Sequence, residues 1–145
     1  NVKGNLRTLL KILKIGIPLP LKNINNLRSF ISMDNLNDLI FKILFSKKNI
    51  TGTFLISDDH DISTSDLIYK INNNLPTKIK FFMFNELFFK FFLIPIGKKN
   101  LYNKVFSSLR VDITYTKQKL NWSPKKVLNR SIKTMVTSFL KEKVK

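Results

Sequence analysis

Apolar residues recur at helical spacing along much of the chain. Leu6, Leu9, Leu10 and Leu13 share one side of residues 5–15, with Arg7, Lys11 and Lys14 opposite them. Asn5 is a candidate N-cap for this helix, and Gly16 followed by Pro18 ends it. Two prolines keep residues 17–33 out of a long helix, and their asparagines predict a turn between short extended pieces. A second helix is expected over about 34–46, capped by Ser32 or Asp34, with Leu36, Leu39, Ile40, Ile43 and Leu44 as its stripe. Gly52 opens a buried-strand pattern, TFLIS, at 53–57. Ser63 and Asp66 resemble a capping box ahead of a helix over about 64–74, which carries Leu67, Ile68 and Ile71 and stops at the asparagine run before Pro76. Residues 79–96 read as a buried or half-buried helix, 104–124 as a loop with a short helix near its end, and 125–142 as a final amphipathic helix.

The Phe-rich stretch at 79–96 is interrupted by Asn85, Glu86 and Lys90 and closed by Pro95. It therefore falls short of the roughly 20 clean apolar residues that a membrane span needs. An interfacial amphipathic helix is the alternative reading, because basic residues flank it.

Composition changes this picture in three ways. At 145 residues and 43% hydrophobic, the chain suits one small domain or a piece of a larger one. It starts at Asn1 and enters a helical pattern at once, with no signal-peptide pattern, so a cut from a longer chain is expected. There is no cysteine and one histidine, which excludes disulfides, thiolate chemistry and multi-histidine metal sites and fits a cytoplasmic location. The net charge of +17 invites a nucleic-acid or anionic-membrane reading. Yet the basic residues are nearly all lysine and alanine is absent, so AT-rich codon usage is the plainer source of the charge.

Candidate chemistry is sparse. Gly4, Gly16, Gly52 and Gly97 lie too far apart for a phosphate-cradling turn of Rossmann or P-loop type. Tyr115 and Lys119 have the Tyr-x-x-x-Lys spacing of a catalytic pair, but no cofactor site accompanies them and chance accounts for the match. His60 with Asp58, Asp59 and Asp61 reads as a polar turn rather than a metal site. Arg28 stands out in a chain that otherwise prefers lysine. Its planar fork suits a diphosphate, against the plainer alternative of a surface ion pair with Asp34 or Asp38.

Six collinear stretches carry a family resemblance: NVKGNL, GIPLPL, NNLRSFISMDNLNDLI, GTFLISDDHDISTSDL, FSSLRVD and LNWSP. Together they resemble the C-terminal, substrate-binding part of NAD-dependent epimerase/dehydratases, the extended short-chain dehydrogenases typified by UDP-glucose 4-epimerase. The closest likeness is to bacterial members that modify UDP-sugars for surface polysaccharide. The resemblance implies an α/β full enzyme, of which residues 1–145 are a mostly α-helical lobe with a few short strands. The Rossmann half would be absent, and with it NAD and every catalytic residue.

Site roles follow from the resemblance alone. Asn5 and Leu6 would face the UDP from a helix N-terminus. Leu19, beside Pro20, would lie along the uracil, and Arg28 would pair with the diphosphate. Lys104 would stand where the family has a second phosphate-binding arginine, keeping the charge without the fork. Asp112 would anchor its loop, and Asn121 would replace the glycine of Leu-Gly-Trp-x-Pro, a position where asparagine tolerates a left-handed backbone. The implied partners are a UDP-sugar, the Rossmann half and, in the full enzyme, a second copy. Neither a cofactor or metal bound by this chain alone, nor nucleic acid, nor stable membrane insertion, is expected. The rival readings are a basic module for nucleic acid or an anionic membrane surface, and an inactive gene remnant.

Overall fold

A computed structural model describes residues 4–16, 18–83, 86–95, 97, 99–125 and 127–142. Among them the chain forms seven α-helices and one small parallel sheet, so it is mostly helical with few strands, as expected.

Helix α1 (Gly4–Ile15) begins one residue before the expected cap, so Asn5 lies inside its first turn. Gly16, at φ +89°, ends it in a conformation that costs glycine no side-chain clash. Strand β1 (Leu19–Lys22) follows and pairs in parallel with β2 (Phe81–Met83), Leu19 opposite Phe81. Two helices occupy the crossover between them. Helix α2 (Met33–Leu44) is capped by Ser32, whose hydroxyl accepts from the Asn35 N–H. Helix α3 (Thr64–Asn73) carries the forward half of the expected capping box: the Ser63 hydroxyl accepts from the Asp66 N–H, and it is this hydroxyl that donates to the Asp66 carboxylate. Lys78 closes its other end, its ammonium donating to the carbonyls of Asn72, Asn73 and Leu75 where the helix dipole is negative.

Three expectations need correction. Residues 53–57 form no strand, because no neighbouring segment offers them a hydrogen-bonded ladder among the described residues. The 79–96 stretch is divided into β2 and a short helix α4 (Glu86–Leu93). The 104–124 loop is entered through a further helix, α5 (Lys99–Phe106), before α6 (Thr114–Leu120). The final helix, α7, spans Leu128–Lys141.

Two apolar clusters hold these elements. The larger joins Leu10 and Leu13 of α1, Ile68 and Ile71 of α3, and Ile132 and Val136 of α7. The smaller joins Leu39 of α2 with Ile113, Leu120 of α6 and Trp122. Only part of the α2 stripe enters this second cluster. Ile40 and Leu44 stay exposed, as do Phe41 and Phe45, whose rings stack 6.1 Å apart.

Candidate nucleotide-diphosphate site

The segment carrying Arg28 is held from both sides. Arg28 and Ile62 exchange backbone hydrogen bonds, each at 3.0 Å. On the other side the Ser29 N–H donates to Leu109 O at 3.0 Å, and the Leu109 N–H donates to Leu27 O at 2.8 Å. Residues 27–29 thus form the middle of three short extended pieces. Asn26 locks the same junction. Its Nδ2 donates to Val105 O and Ser107 O, while its Oδ1 accepts from the Thr64 N–H at 2.8 Å. One buried amide therefore satisfies the end of α5 and the start of α3 together.

The Arg28 guanidinium turns toward α5. Its Nη2 donates to Ser107 O at 3.0 Å and to Asn103 O at 3.3 Å. A cation at the negative end of a helix is favourable there, and the two bonds set the plane of the fork. Nε is buried and has no protein acceptor among the described residues. The ion pair with Asp34 or Asp38 does not form in this way: Asp38 instead accepts from the Trp122 indole and the Lys125 ammonium.

The other expected site residues are placed as follows. Leu6 and Leu19 are half-buried and pack against the same large cluster. Pro20 lies beside Leu19 in β1. Lys104 sits on α5 one residue after Asn103, so its helix is the one that Arg28 touches. The side chains of Asn5 and Lys104 lie outside the described residues. Two surface cavities, of about 520 and 380 Å³, are lined by other residues. The smaller runs along Asn23–Leu27 and so ends next to Arg28 in sequence.

A second arginine, unremarked in the sequence, joins this neighbourhood. Arg110 Nε donates to Asp61 Oδ2 at 2.6 Å, and the other Asp61 oxygen accepts from the Ser29 hydroxyl. That hydroxyl in turn accepts from the Val111 N–H at 2.8 Å. Two of the chain's four arginines thus stand on adjacent paired segments, at 28 and 110. Arginine scarcity, the signal that singles out Arg28, applies equally to Arg110.

The Ser29 and Arg110 hydrogen bonds hold the Asp61 carboxyl below the usual carboxylate range. Its folded pKa is depressed, so the associated stability is present above the unfolded pKa and is lost as pH falls through the folded one. Acidification from about pH 5 to about pH 3 is expected to destabilise the native chain roughly 1 kcal/mol more than Asp61→Asn, because Arg110 is exposed and screened. Urea unfolding at each pH checks this, and equal slopes for the two proteins would refute it.

The remaining candidate chemistry disperses. Asp58 turns inward to α2, Asp59 pairs with Lys117 at 2.7 Å and Asp61 with Arg110, so the acidic turn around exposed His60 sends its carboxylates three ways. No three metal-ligating side chains converge among the described residues. Tyr115 is exposed on α6 and stacks on Phe54 at 5.9 Å. Asp112 accepts from the Thr114 N–H at 2.8 Å, and hydrogen bonding to the Thr114 side chain and then to its N–H lowers the Asp112 pKa. Asn121 adopts the left-handed conformation, φ 44°, at the end of α6.

These stretches resemble the C-terminal part of NAD-dependent epimerase/dehydratases, and comparison with known proteins bears the resemblance out. Over 147 aligned residues the chain is 34% identical to UDP-glucose 4-epimerase of Vibrio cholerae. The match takes in 96% of this chain and 43% of that protein, so the chain spans less than half the length of its curated relative. No family model and no solved structure matches it.

Proposed function

We propose that this chain is the UDP-sugar-binding portion of an NAD-dependent nucleotide-sugar epimerase/dehydratase, gripping the diphosphate while another portion carries out hydride transfer. The observation that carries this reading is the Arg28 guanidinium. It is oriented by the carbonyls of Asn103 in α5 and of Ser107 just beyond it, and keeps a buried Nε with no protein acceptor among the described residues. A buried donor without a partner is costly, and an anionic oxygen would satisfy it. Arg110, paired with Asp61, stands on the adjacent segment.

The chain's own residues do not fit NAD. Its four glycines, at 4, 16, 52 and 97, lie far apart in the chain, with no Gly-rich run of the kind that cradles a pyrophosphate. The cofactor would therefore be held by the Rossmann portion. The exposed face of α2, with Ile40, Phe41, Leu44 and Phe45, supports that arrangement. It lies on the helix whose Leu39 packs in the cluster with Ile50, Phe54 and Ile56, and a patch of this kind marks an interaction surface. The unladdered TFLIS stretch beside it has the composition of a strand awaiting a sheet. The full enzyme would be cytoplasmic, with surface-polysaccharide synthesis as its setting.

The test is calorimetric titration with UDP and, separately, NAD. UDP binding is expected without NAD binding. Arg28→Ala should weaken UDP about 10- to 100-fold, the worth of a charge-assisted hydrogen bond to phosphate. Arg28→Lys should recover only part of the loss, because the point charge remains but the fork does not. Unchanged UDP affinity in a folded Arg28→Ala variant, or tight NAD binding, would overturn the proposal.

A further inference from the structure

The larger surface cavity, of about 520 Å³, lies between α3 and α7 and has no part in the Arg28 neighbourhood. The spacing of the two helices accounts for it. Ile68 and Ile71 of α3 and Ile132 and Val136 of α7 meet in the large cluster, so the helices are held together through their buried sides. Asp66, Tyr69, Lys70 and Asn73 fall at i, i+3, i+4 and i+7, and form one stripe of α3 along the cavity. Asn129 and Lys133, four residues apart, line it from α7.

The walls are tied to each other. Lys70 Nζ donates to Asn129 Oδ1 at 2.6 Å and so joins one helix to the other. The Ser63 hydroxyl donates to Asp66 Oδ2 at 2.8 Å. Ile132, which is buried, supplies apolar lining. Several polar groups of the lining are unused. The Tyr69 hydroxyl, the Asn73 amide and the Asn129 NH2 group have no protein partner among the described residues. Tyr69 keeps 58% of its surface in solvent, so its ring is open to a ligand as well.

We propose that this groove binds a neutral saccharide chain. A sugar hydroxyl both donates and accepts, so it is best met by side chains that do both. The amide of Asn73 and the hydroxyl of Tyr69 do so, Asn129 adds donors, and the Asp66 carboxylate adds acceptors. The Tyr69 ring offers a flat apolar surface to the C–H face of a pyranose, and tyrosine loses little side-chain freedom on binding. The cavity falls within the roughly 300–1,000 Å³ of small-molecule sites, which combine apolar lining with a few polar groups. A phosphate-bearing ligand fits less well, because Asp66 places a carboxylate in the wall and the Lys70 ammonium is already engaged by Asn129. A peptide would need apolar pockets, and the apolar lining here is Ile132 and the Tyr69 ring. The inference goes beyond the nucleotide-sugar reading and uses none of its residues, so either can fail without the other.

The experiment is an amide-resolved NMR titration of the chain with maltotriose and, separately, with chitotriose. Saturable shifts are expected with at least one of them in residues 66–74 and 129–133, with residues 27–29 unmoved. Because the ligand is neutral, the affinity should not change with salt. Tyr69→Ala and Asn73→Ala should each weaken it about fivefold, the worth of one ring contact or one hydrogen bond. Both positions are exposed, and unchanged circular dichroism checks that the variants fold. Tyr69→Phe should keep most of the affinity, since the ring remains. Lys133→Gln should change it little. Four results would each sink the proposal: no saturable binding of either trisaccharide; binding that neither Tyr69→Ala nor Asn73→Ala weakens; inorganic phosphate moving the same amides while the sugars do not; or a greater loss from Lys133→Gln than from Tyr69→Ala, which marks a charge-driven ligand.

Discussion

Asp58→Ala is expected to lower the unfolding free energy by about 3–5 kcal/mol, the range for removing one partner from a buried charged network. Asp58 is buried just beyond the N-terminus of α2 in space, though it is 26 residues later than Ser32 in sequence. Its Oδ1 accepts from the Ser32 N–H at 3.0 Å, the Ser32 hydroxyl at 3.2 Å and the Asn35 amide at 2.7 Å. The carboxylate also opposes the positive end of the α2 dipole. Alanine leaves those donors without an acceptor in a place water does not reach. Asp58→Asn keeps an acceptor there and should cost less, while Ser32→Ala, which removes one cap, should cost about 1 kcal/mol. Urea unfolding measures all three. A midpoint shift at constant denaturant slope is the expected form, and a shift no larger for Asp58→Ala than for Ser32→Ala would refute the network account.

The same network explains how far the sequence could be read. Local signals were sufficient where one element satisfies itself. The Ser63–Asp66 box lies within a single turn and was visible as a spacing. The leucine stripe of α1 needs only the 3.6-residue period, and Leu10 and Leu13 are fully buried. Signals failed where a residue's partner is remote. Asp58 reads as part of a polar turn with His60, and nothing nearby says that it turns inward to α2. Asn26 reads as one more turn asparagine, yet its amide joins segments 38 and 81 residues away. TFLIS has a strand's composition, but a strand needs a neighbour as well as propensity. The α2 stripe reads as one apolar face, whereas Leu39 is buried and Ile40 and Leu44 are not, a division that composition does not encode.

For the candidate site the balance is similar. Arg28 was found by its rarity, and the position of α5 against it gives that choice a geometric setting. Arg110 lies inside FSSLRVD, where nothing local marks its pairing with Asp61, 49 residues away in sequence. Much of the family resemblance turns out to be scaffold. Ser32, Asn35 and Asp38 of one stretch, Asp58 of another and Trp122 of a third are fastened to each other rather than set in the neighbourhood of Arg28. Such positions report the fold of the lobe and say little about the sugar.

Trp122→Ala is expected to cost about 3–5 kcal/mol, as for other large-to-small changes in a core. The indole is 3% exposed and fills the small cluster between Leu39, Ile113 and Leu120. Its Nε1 donates at 2.8 Å to Asp38 Oδ2, while Lys125 holds the other oxygen at 3.0 Å. Trp122→Phe keeps much of the apolar volume but leaves Asp38 one donor short, so its smaller loss separates packing from hydrogen bonding. Trp122 and Asp58 grip the same helix from different sides: Asp58 holds Ser32 and Asn35, and Trp122 holds Asp38 and Leu39. Asn35 completes the link, since its Oδ1 accepts from the Lys125 N–H at 3.0 Å. Once one grip is lost, α2 is already loosened and the second has less to hold. The double variant should therefore lose less than the sum of the single losses, by more than about 0.5 kcal/mol. Strict additivity in a double-mutant cycle would mean that α2 does not transmit between its two anchors, and that its outward apolar face is positioned by the small cluster alone.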